Sequence, residues 1–523
     1  MTTPVIHVVA VLVLLVAPGA LPARAVTGCW KLAVPAAPLA TGVLCATAAV
    51  VSLALRASWA LSLAAVVASA SGAALVLLHR RPAPAAGAAS RIGWGQLAVL
   101  ALVLGFLLLA VRRAPIDWDT RAIWFTHADW VAAGGEGAAQ VLGFRDPRSV
   151  HPDYPPLGPA TIAAVWLVLG RDHEVAQLVL ALLTASAALV LAAAMQLALR
   201  VPRWSMGLVG AAVLLATYGL AGGYATNGYV DVLWAAALAA AAVCLLAAPA
   251  GDRAATGLGA LFLAAAMATK NEGMVAGAGL VVLLVVRNGR RGLVTAAAPV
   301  ALASGWAVTS KLLGATGDML SGDGLSRLVR LDPDVLARVA PTVEAFWDRM
   351  HRELILAAGL TAVGLLVGKR RRRELSGAGA GWLWAATVVC LGVVGSAYLI
   401  SPHDIDWHLA TSVGRTVFVA RILLLVESAV WLVVLGSVLF SPDASADAVP
   451  PPGARRRHVD AREGLGRDGA DGVGGEEGGD RVRAPAPPDA GIEALRALIV
   501  RRVAGGRRGR ARPPADRGDT AAA

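Results

Sequence analysis

Residues whose types could do chemistry are concentrated in short polar segments between long apolar blocks. The first segment contains DWDTRAIW, in which Asp117 and Asp119 follow directly after an apolar block. Charge at membrane depth is costly, so these two acids should face water or a cationic partner. They could equally serve as N-caps for the helix that follows. Trp118, Trp124 and Trp130 are expected to be interfacial anchors, or aromatic surfaces on which a sugar ring stacks.

Two further segments combine ionisable and rigid residues. The motif HPDYPPL contains His151, Asp153 and Tyr154, and its prolines predict a rigid turn into a helix. His151 and Asp153 could alternatively form part of an acid/base or metal site. Lys270 and Glu272 lie in the short sequence TKNEG between two apolar blocks. This lysine could bind a phosphate group, or it could pair with Glu272 and extend to the membrane surface.

A last polar segment, HDIDWHLATSVGR, occupies residues 403–415 and contains His408 and Arg415. Arg415 could reach phosphate oxygens with two parallel hydrogen bonds, or it could cap a helix at the interface. Two histidines and two aspartates within six residues could bind a divalent metal ion, although their spacing matches no fixed ligand pattern.

The composition predicts the elements that carry these segments. Of the 523 residues, 57% are hydrophobic and 16% are charged, and the mean hydropathy is +0.64. Globular chains carry about 25% charged residues, so this composition excludes a typical water-soluble enzyme. Apolar blocks of about twenty residues predict an all-α polytopic membrane protein with about thirteen transmembrane helices. The apolar segment at 156–170 is too short to cross, so we expect it to be an interfacial or re-entrant helix.

Basic residues in the short loops predict the orientation, because cytoplasmic loops carry an excess of Lys and Arg. Five basic clusters fall on one side if segment 156–170 does not cross; they lie near residues 80–91, 200–203, 253, 287–291 and 369–373. The polar segments then face the exoplasmic side of the plasma membrane. We interpret the net charge of +12 as loop charge, not as a nucleic-acid-binding surface.

Three regions follow from this pattern. Residues 1–92 are predicted to form N-terminal transmembrane helices, the first retained and not cleaved as a signal peptide. Residues 93–440 form a transmembrane core whose long exoplasmic loops, at about 114–173 and 314–352, include interfacial helices. Residues 441–523 are rich in Gly, Pro, Asp and Arg, which predicts a disordered cytoplasmic tail.

Taken together, the order and sidedness of these motifs over about residues 95–430 resemble the GT-C superfamily of integral-membrane glycosyltransferases. The resemblance implies a bacterial enzyme that transfers a hexose or pentose from a polyprenyl-phosphate donor to a glycan, glycolipid or protein acceptor. It implies that Asp119, or failing that Asp117, is the general base of an inverting single displacement. A divalent ion, Mg²⁺ or Mn²⁺, assists in some members. Arg121 departs from the commoner family pattern, which has an aromatic residue there.

The same resemblance suggests which residues contact the substrates. Lys270, Arg415 and Arg113 are expected to bind the donor phosphate. His151, Asp153, Tyr154, Glu272 and His408 are expected to contact substrate.

Two other classes of function remain open from the sequence. A flippase for lipid-linked sugars, or another polytopic transporter, should show internal repeats and charges inside its spans. No clear repeat is present, and the ionisable residues collect mainly at the predicted outer ends of the spans. A non-catalytic scaffold that recruits partners through its tail would instead tolerate changes in the outer loops.

Overall fold

The computed structural model describes residues 2–80, 94–111, 117–143, 150–199, 206–248, 251–315, 317, 322–367 and 379–440. This part of the chain is helical and contains no β-strand. The all-α prediction is therefore confirmed for the described residues. The predicted tail and Arg113 lie outside them.

The helices follow the apolar blocks of the sequence. The first nine are α1 (Thr2–Thr27), α2 (Trp30–Ala54), α3 (Trp59–His79), α4 (Trp94–Val111), α5 (Thr126–Ala132), α6 (Gly134–Gly143), α7 (Leu157–Leu169), α8 (His173–Leu199) and α9 (Met206–Ala221). The others are α10 (Asp231–Ala242), α11 (Arg253–Met267), α12 (Asn271–Asn288), α13 (Arg290–Leu312), α14 (Gly322–Arg330), α15 (Pro333–Ala337), α16 (Val339–Val367), α17 (Ala380–Ile400), α18 (Ile405–Thr416) and α19 (Phe418–Phe440). π-Helical segments at Thr120–Phe125 and Val243–Ala247 precede α5 and extend α10.

Eight stretches in the described residues are long and apolar enough to cross a membrane. They lie in α1, α2, α3, α8, α12, α13, α17 and the consecutive pair α18–α19. Shorter apolar helices lie in α4, α7, α11 and in α10 with its π-helical extension. The protein is thus a membrane protein by the length and composition of its helices, and the count of thirteen crossings stays a prediction.

The centre of the fold is built from small residues, which let helices approach closely. Every residue of α10 is buried, and α10 packs against α8, α11 and α19. Helix α1 lies along α2, where a Cβ added at Gly19 would come within 2.1 Å of the Ala37 carbonyl oxygen. Thr41 donates a hydrogen bond from its hydroxyl to the Leu15 carbonyl oxygen at 2.6 Å. Small residues at such contacts are typical of membrane helix packing.

The short helix α7 has 13 residues and a length of about 20 Å, whereas the hydrocarbon core is about 30 Å thick. It packs among α2, α5 and α8, and most of its residues are buried. The Leu157 N–H donates to the Ala268 carbonyl oxygen at 2.9 Å. The start of α7 is therefore tied to the end of α11, which brings the HPDYPPL motif to the TKNEG turn.

The expectation of interfacial anchors is wrong for one of the three tryptophans and stays a prediction for Trp118. Trp118 is 61% exposed, as an anchor at a surface would be. Trp124 is buried and stacks on Tyr154 with 5.7 Å between ring centroids, so it belongs to the core. Trp130 is half-buried and stacks on His127 at 4.2 Å. The second and third rings are thus used to pack the loop against itself.

Candidate functional site

Five charged side chains from four separate segments form one continuous series of ion pairs, which we name the charged cluster. The Arg415 Nη1 atom donates to Asp119 Oδ2 and lies 3.9 Å from Asp231 Oδ2. The Lys270 Nζ atom contacts Asp231 Oδ1 at 2.9 Å and Glu272 Oε1 at 3.1 Å. Asp119 and Arg415 are 296 positions apart in the chain, and the fold makes them direct partners.

The charged cluster has a buried end and an accessible end. Lys270, Asp231 and Glu272 are almost completely buried, with side chains 5%, 1% and 6% exposed. The side chains of Asp119 and Arg415 are 17% and 16% exposed. A dissolved or membrane-bound ligand would therefore meet the Asp119–Arg415 pair first.

Lys270 neither extends to the surface nor pairs with Glu272 alone, so the snorkelling alternative is wrong. Burial by itself lowers the pKa of this lysine, but the carboxylates of Asp231 and Glu272 outweigh it and hold the pKa well above its usual value. Lys270 is thus a permanent cation whose charge two acids already balance.

A tight turn between α11 and α12 brings Lys270 and Glu272 into the same charged cluster. Three residues separate the end of α11 from the start of α12, and Lys270 has an extended backbone. A Cβ at Gly273 would lie 2.3 Å from the Ala266 carbonyl oxygen, so only glycine lets the two helices meet this closely.

Asp117 is held by the turn that precedes α10. The side-chain amide of Asn227 donates to Asp117 Oδ2, and the Thr120 hydroxyl donates to the Asn227 carbonyl oxygen at 2.8 Å. Gly228 has a φ of +90°, and a Cβ there would lie 2.4 Å from Thr120 Cγ2. The turn and the acidic segment therefore interlock. For Asp119 the N-cap alternative is wrong, because its side chain makes no cap hydrogen bond and pairs with Arg415.

The HPDYPPL motif borders the buried end of the cluster. Asn271 donates from its side-chain amide to Asp153 Oδ2 at 2.7 Å, and the Trp306 indole donates to the Asp153 carbonyl oxygen at 2.8 Å. The Tyr154 ring lies 5.8 Å from Lys270 Nζ and stacks on the His151 ring at 4.5 Å. Burial, with the nearby Glu272 carboxylate, raises the pKa of Tyr154, so its hydroxyl stays protonated.

His408 lies on α18, two turns before Arg415, and its ring packs 4.6 Å from that of Tyr398. The Tyr398 hydroxyl in turn hydrogen-bonds the hydroxyls of Ser412 and Thr416. Asp404 accepts a hydrogen bond from the Trp407 N–H at 3.0 Å and caps α18. Within the described ranges no three His, Cys, Asp or Glu side chains are grouped to hold a metal ion.

The structure therefore places nine of the ten predicted site residues in or beside one cluster, and the tenth, Arg113, lies outside the described residues. Three contributors were missing from the predicted set: Asp231, Asn227 and Tyr229. Tyr229 lies under Arg415, 4.9 Å from the guanidinium carbon to the ring centroid. An acid at the start of an entirely apolar block was the signal for Asp231.

Several buried polar atoms of the site have no hydrogen-bond partner among the described residues. They are Asp231 Oδ2, Glu272 Oε2, Asn271 Oδ1, His408 Nδ1 and Arg415 Nε. Buried polar atoms normally have a hydrogen-bond partner. A group of unpaired ones at one place therefore indicates a position where a polar ligand or water can bind. The set includes both donors and acceptors of hydrogen bonds.

Comparisons with protein-family models, with curated proteins and with solved structures found no match to this chain.

Proposed function

We propose that the protein is a membrane glycosyltransferase that moves a sugar from a polyprenyl-phosphate donor to an acceptor hydroxyl at the outer face of the plasma membrane. The observation that carries the proposal is the charged cluster. Two cations and three carboxylates from distant segments converge at helix junctions next to apolar helices. A lipid-linked sugar presents this combination of an anionic group and a long apolar chain.

The proposed reaction assigns a role to each end of the cluster. The acceptor oxygen attacks the anomeric carbon, the bond from that carbon to the phosphate oxygen breaks, and polyprenyl phosphate leaves with the electron pair. Asp119 takes the hydroxyl proton, since an ionised carboxylate is a suitable base once the new bond is forming. Arg415 and Lys270 stabilise the charge that develops on the phosphate.

The charge balance predicts help from a divalent ion. In the charged cluster carboxylates already outnumber cations, and a bound donor phosphate adds further negative charge. Asp231 and Glu272 each keep a buried oxygen without a hydrogen-bond partner in the described part of the chain. These oxygens would hold Mg²⁺ or Mn²⁺ together with the phosphate, and the ion would neutralise the leaving group.

The test has a cellular and a biochemical arm. A deletion strain should lose one type of sugar residue from its envelope glycans, and wild type should restore it. Purified Asp119→Asn should insert normally but transfer sugar about 10²–10⁴-fold more slowly, the usual contribution of a general base. Unchanged glycans in the deletion strain would reject the transferase, whereas normal transfer by the variant would reject only Asp119 as the base. Loss of transfer on chelation, restored by Mg²⁺ or Mn²⁺, would support the ion.

One observation favours a second candidate, a flippase or other transporter. Glu427 lies within α19, is 1% exposed and accepts a hydrogen bond from the Trp431 indole at 2.8 Å. Ionisable residues inside spans often belong to transport pathways. A transporter should move a fluorescent lipid-linked sugar across a liposome bilayer, and Glu427→Gln should slow that movement. Movement without any sugar transfer would favour this candidate over the transferase.

A further inference from the structure

We infer that the donor phosphate unlocks the catalytic base: it takes the place of Asp119 on Arg415, so Asp119 becomes free to act only when donor is bound. The inference rests on the proposed transferase function and concerns the regulation of the same site. It is carried by the different ways in which Asp119 and Arg415 are held.

Arg415 has two contacts besides its hydrogen bond to Asp119. Its guanidinium lies over the Tyr229 ring at 4.9 Å and its Nη1 atom lies 3.9 Å from the buried Asp231 carboxylate. Asp231 is itself fixed by Lys270 at 2.9 Å. These contacts do not involve Asp119, so the guanidinium would keep its position if Asp119 moved away.

Asp119 is held much more loosely. Within the described part of the chain, the Asp119 carboxylate accepts a hydrogen bond from Arg415, whereas Asp117 is held by Asn227 from the interlocked turn. Asp119 also lies at the accessible end of the cluster, where an incoming ligand can reach the pair. The removable partner of Arg415 is therefore Asp119.

The guanidinium also has two terminal nitrogens that can donate hydrogen bonds. Asp119 Oδ2 accepts a hydrogen bond from Nη1 of Arg415. A guanidinium presents its two terminal nitrogens, Nη1 and Nη2, as a fork that matches two oxygens of a phosphate. A phosphate in the place of Asp119 can therefore accept one hydrogen bond from each terminal nitrogen.

The exchange would set the order of the reaction. While Arg415 donates to Asp119, the carboxylate is paired and poorly available to accept the acceptor's proton. After the exchange it is an ionised, unpaired base next to the bound donor. Donor must then bind before the acceptor is activated, and the enzyme without donor holds its base in an inactive pair.

The experiment measures binding and needs no turnover. The probe is farnesyl phosphate, titrated by calorimetry into full-length protein in phosphatidylcholine nanodiscs, with farnesol as the control without phosphate. Asp119→Asn removes the competing charge and should bind farnesyl phosphate roughly fivefold tighter, about 1 kcal/mol. The matched control Asp117→Asn should change the affinity less than twofold. Asp119→Ser should behave like Asp119→Asn, which guards against a folding defect of one variant.

A double variant isolates the exchange. In an Arg415→Gln background, Asp119→Asn should no longer tighten binding, because the residue for which the two anions compete is gone. If wild type binds farnesyl phosphate clearly and both Asp119 variants bind it equally or more weakly, the exchange is refuted. This result does not bear on the proposed transferase activity. If farnesol binds as strongly as farnesyl phosphate in every variant, the protein does not recognise the phosphate, and the exchange is also refuted. The glycan analysis of the deletion strain then decides separately whether the chain is a transferase.

Discussion

Replacing Lys270 by methionine should destabilise the protein strongly, because this change leaves two carboxylates buried without their common cation. Nζ contacts both Asp231 and Glu272, and all three side chains are at most 6% exposed. Removing one partner of a buried ion pair typically costs about 3–5 kcal/mol. Total stabilities are about 5–15 kcal/mol, so the loss is a large fraction of what holds the fold.

The assay is thermal unfolding of purified protein at pH 7. We expect Lys270→Met to unfold several degrees below wild type at pH 7, while Lys270→Arg, which keeps the charge, should lose less. Adding Glu272→Gln to Lys270→Met should recover part of the loss, although Glu272→Gln alone does not stabilise. Equal unfolding temperatures of Lys270→Met and wild type at pH 7 would refute the reasoning.

Three further outcomes test other parts of the structure. Gly228→Ala places a side chain on a left-handed backbone, which costs about 1–2 kcal/mol, and brings its Cβ against Thr120. Sugar transfer and thermal stability should therefore both fall. Adding Thr120→Ser, which removes the contacting methyl group, should restore part of each. Burial lowers the pKa of His127 to about 3, so this side chain stays neutral in the folded protein. The unfolded chain binds a proton there below about pH 6.5, so stability should fall as the pH drops below that value. In His127→Phe, the unfolding temperature should depend less on pH. The same dependence of unfolding temperature on pH in wild type and His127→Phe would contradict this prediction for His127. Reporter fusions at residues 135 and 330 should both register outside, and opposite sides would refute the predicted orientation.

The sequence predicted the elements of this fold well where a long apolar block sufficed. All-α architecture and the short length of α7 both follow from residue composition and block length. The count of crossings does not follow as directly, since α10 and α11 are short, every residue of α10 is buried, and nine of the 15 residues of α11 are buried. Helices buried in this way need not match the thickness of the bilayer by themselves.

For the site, residue types were predictable and pairings were not. Asp119, Lys270 and Arg415 stood out because charge beside an apolar block is rare. Their partners could not be deduced, since Asp119 meets Arg415 across 296 positions and the tertiary packing alone brings them together. Asp231 was missed because a single acid in the first turn of a helix is also what the helix dipole favours.

Trp124 illustrates the opposite error. Tryptophan beside an apolar block usually marks the membrane interface, but Trp124 fills the space between the acidic segment and Tyr154. Composition alone gives no information on which of three neighbouring tryptophans turns inward. Trp124 lies in the π-helical segment Thr120–Phe125, which the sequence pattern did not predict.

Asp231 also constrains how the protein can change over generations. One carboxylate serves as the neighbour of both Lys270 and Arg415, so a substitution there alters two cations at once. In relatives of this chain, the residues at positions 231, 270 and 415 should therefore be kept or substituted together, whereas the exposed position 118 can vary independently. Covariation of positions 231, 270 and 415 would be a signature of descent that survives when the remaining sequence has diverged.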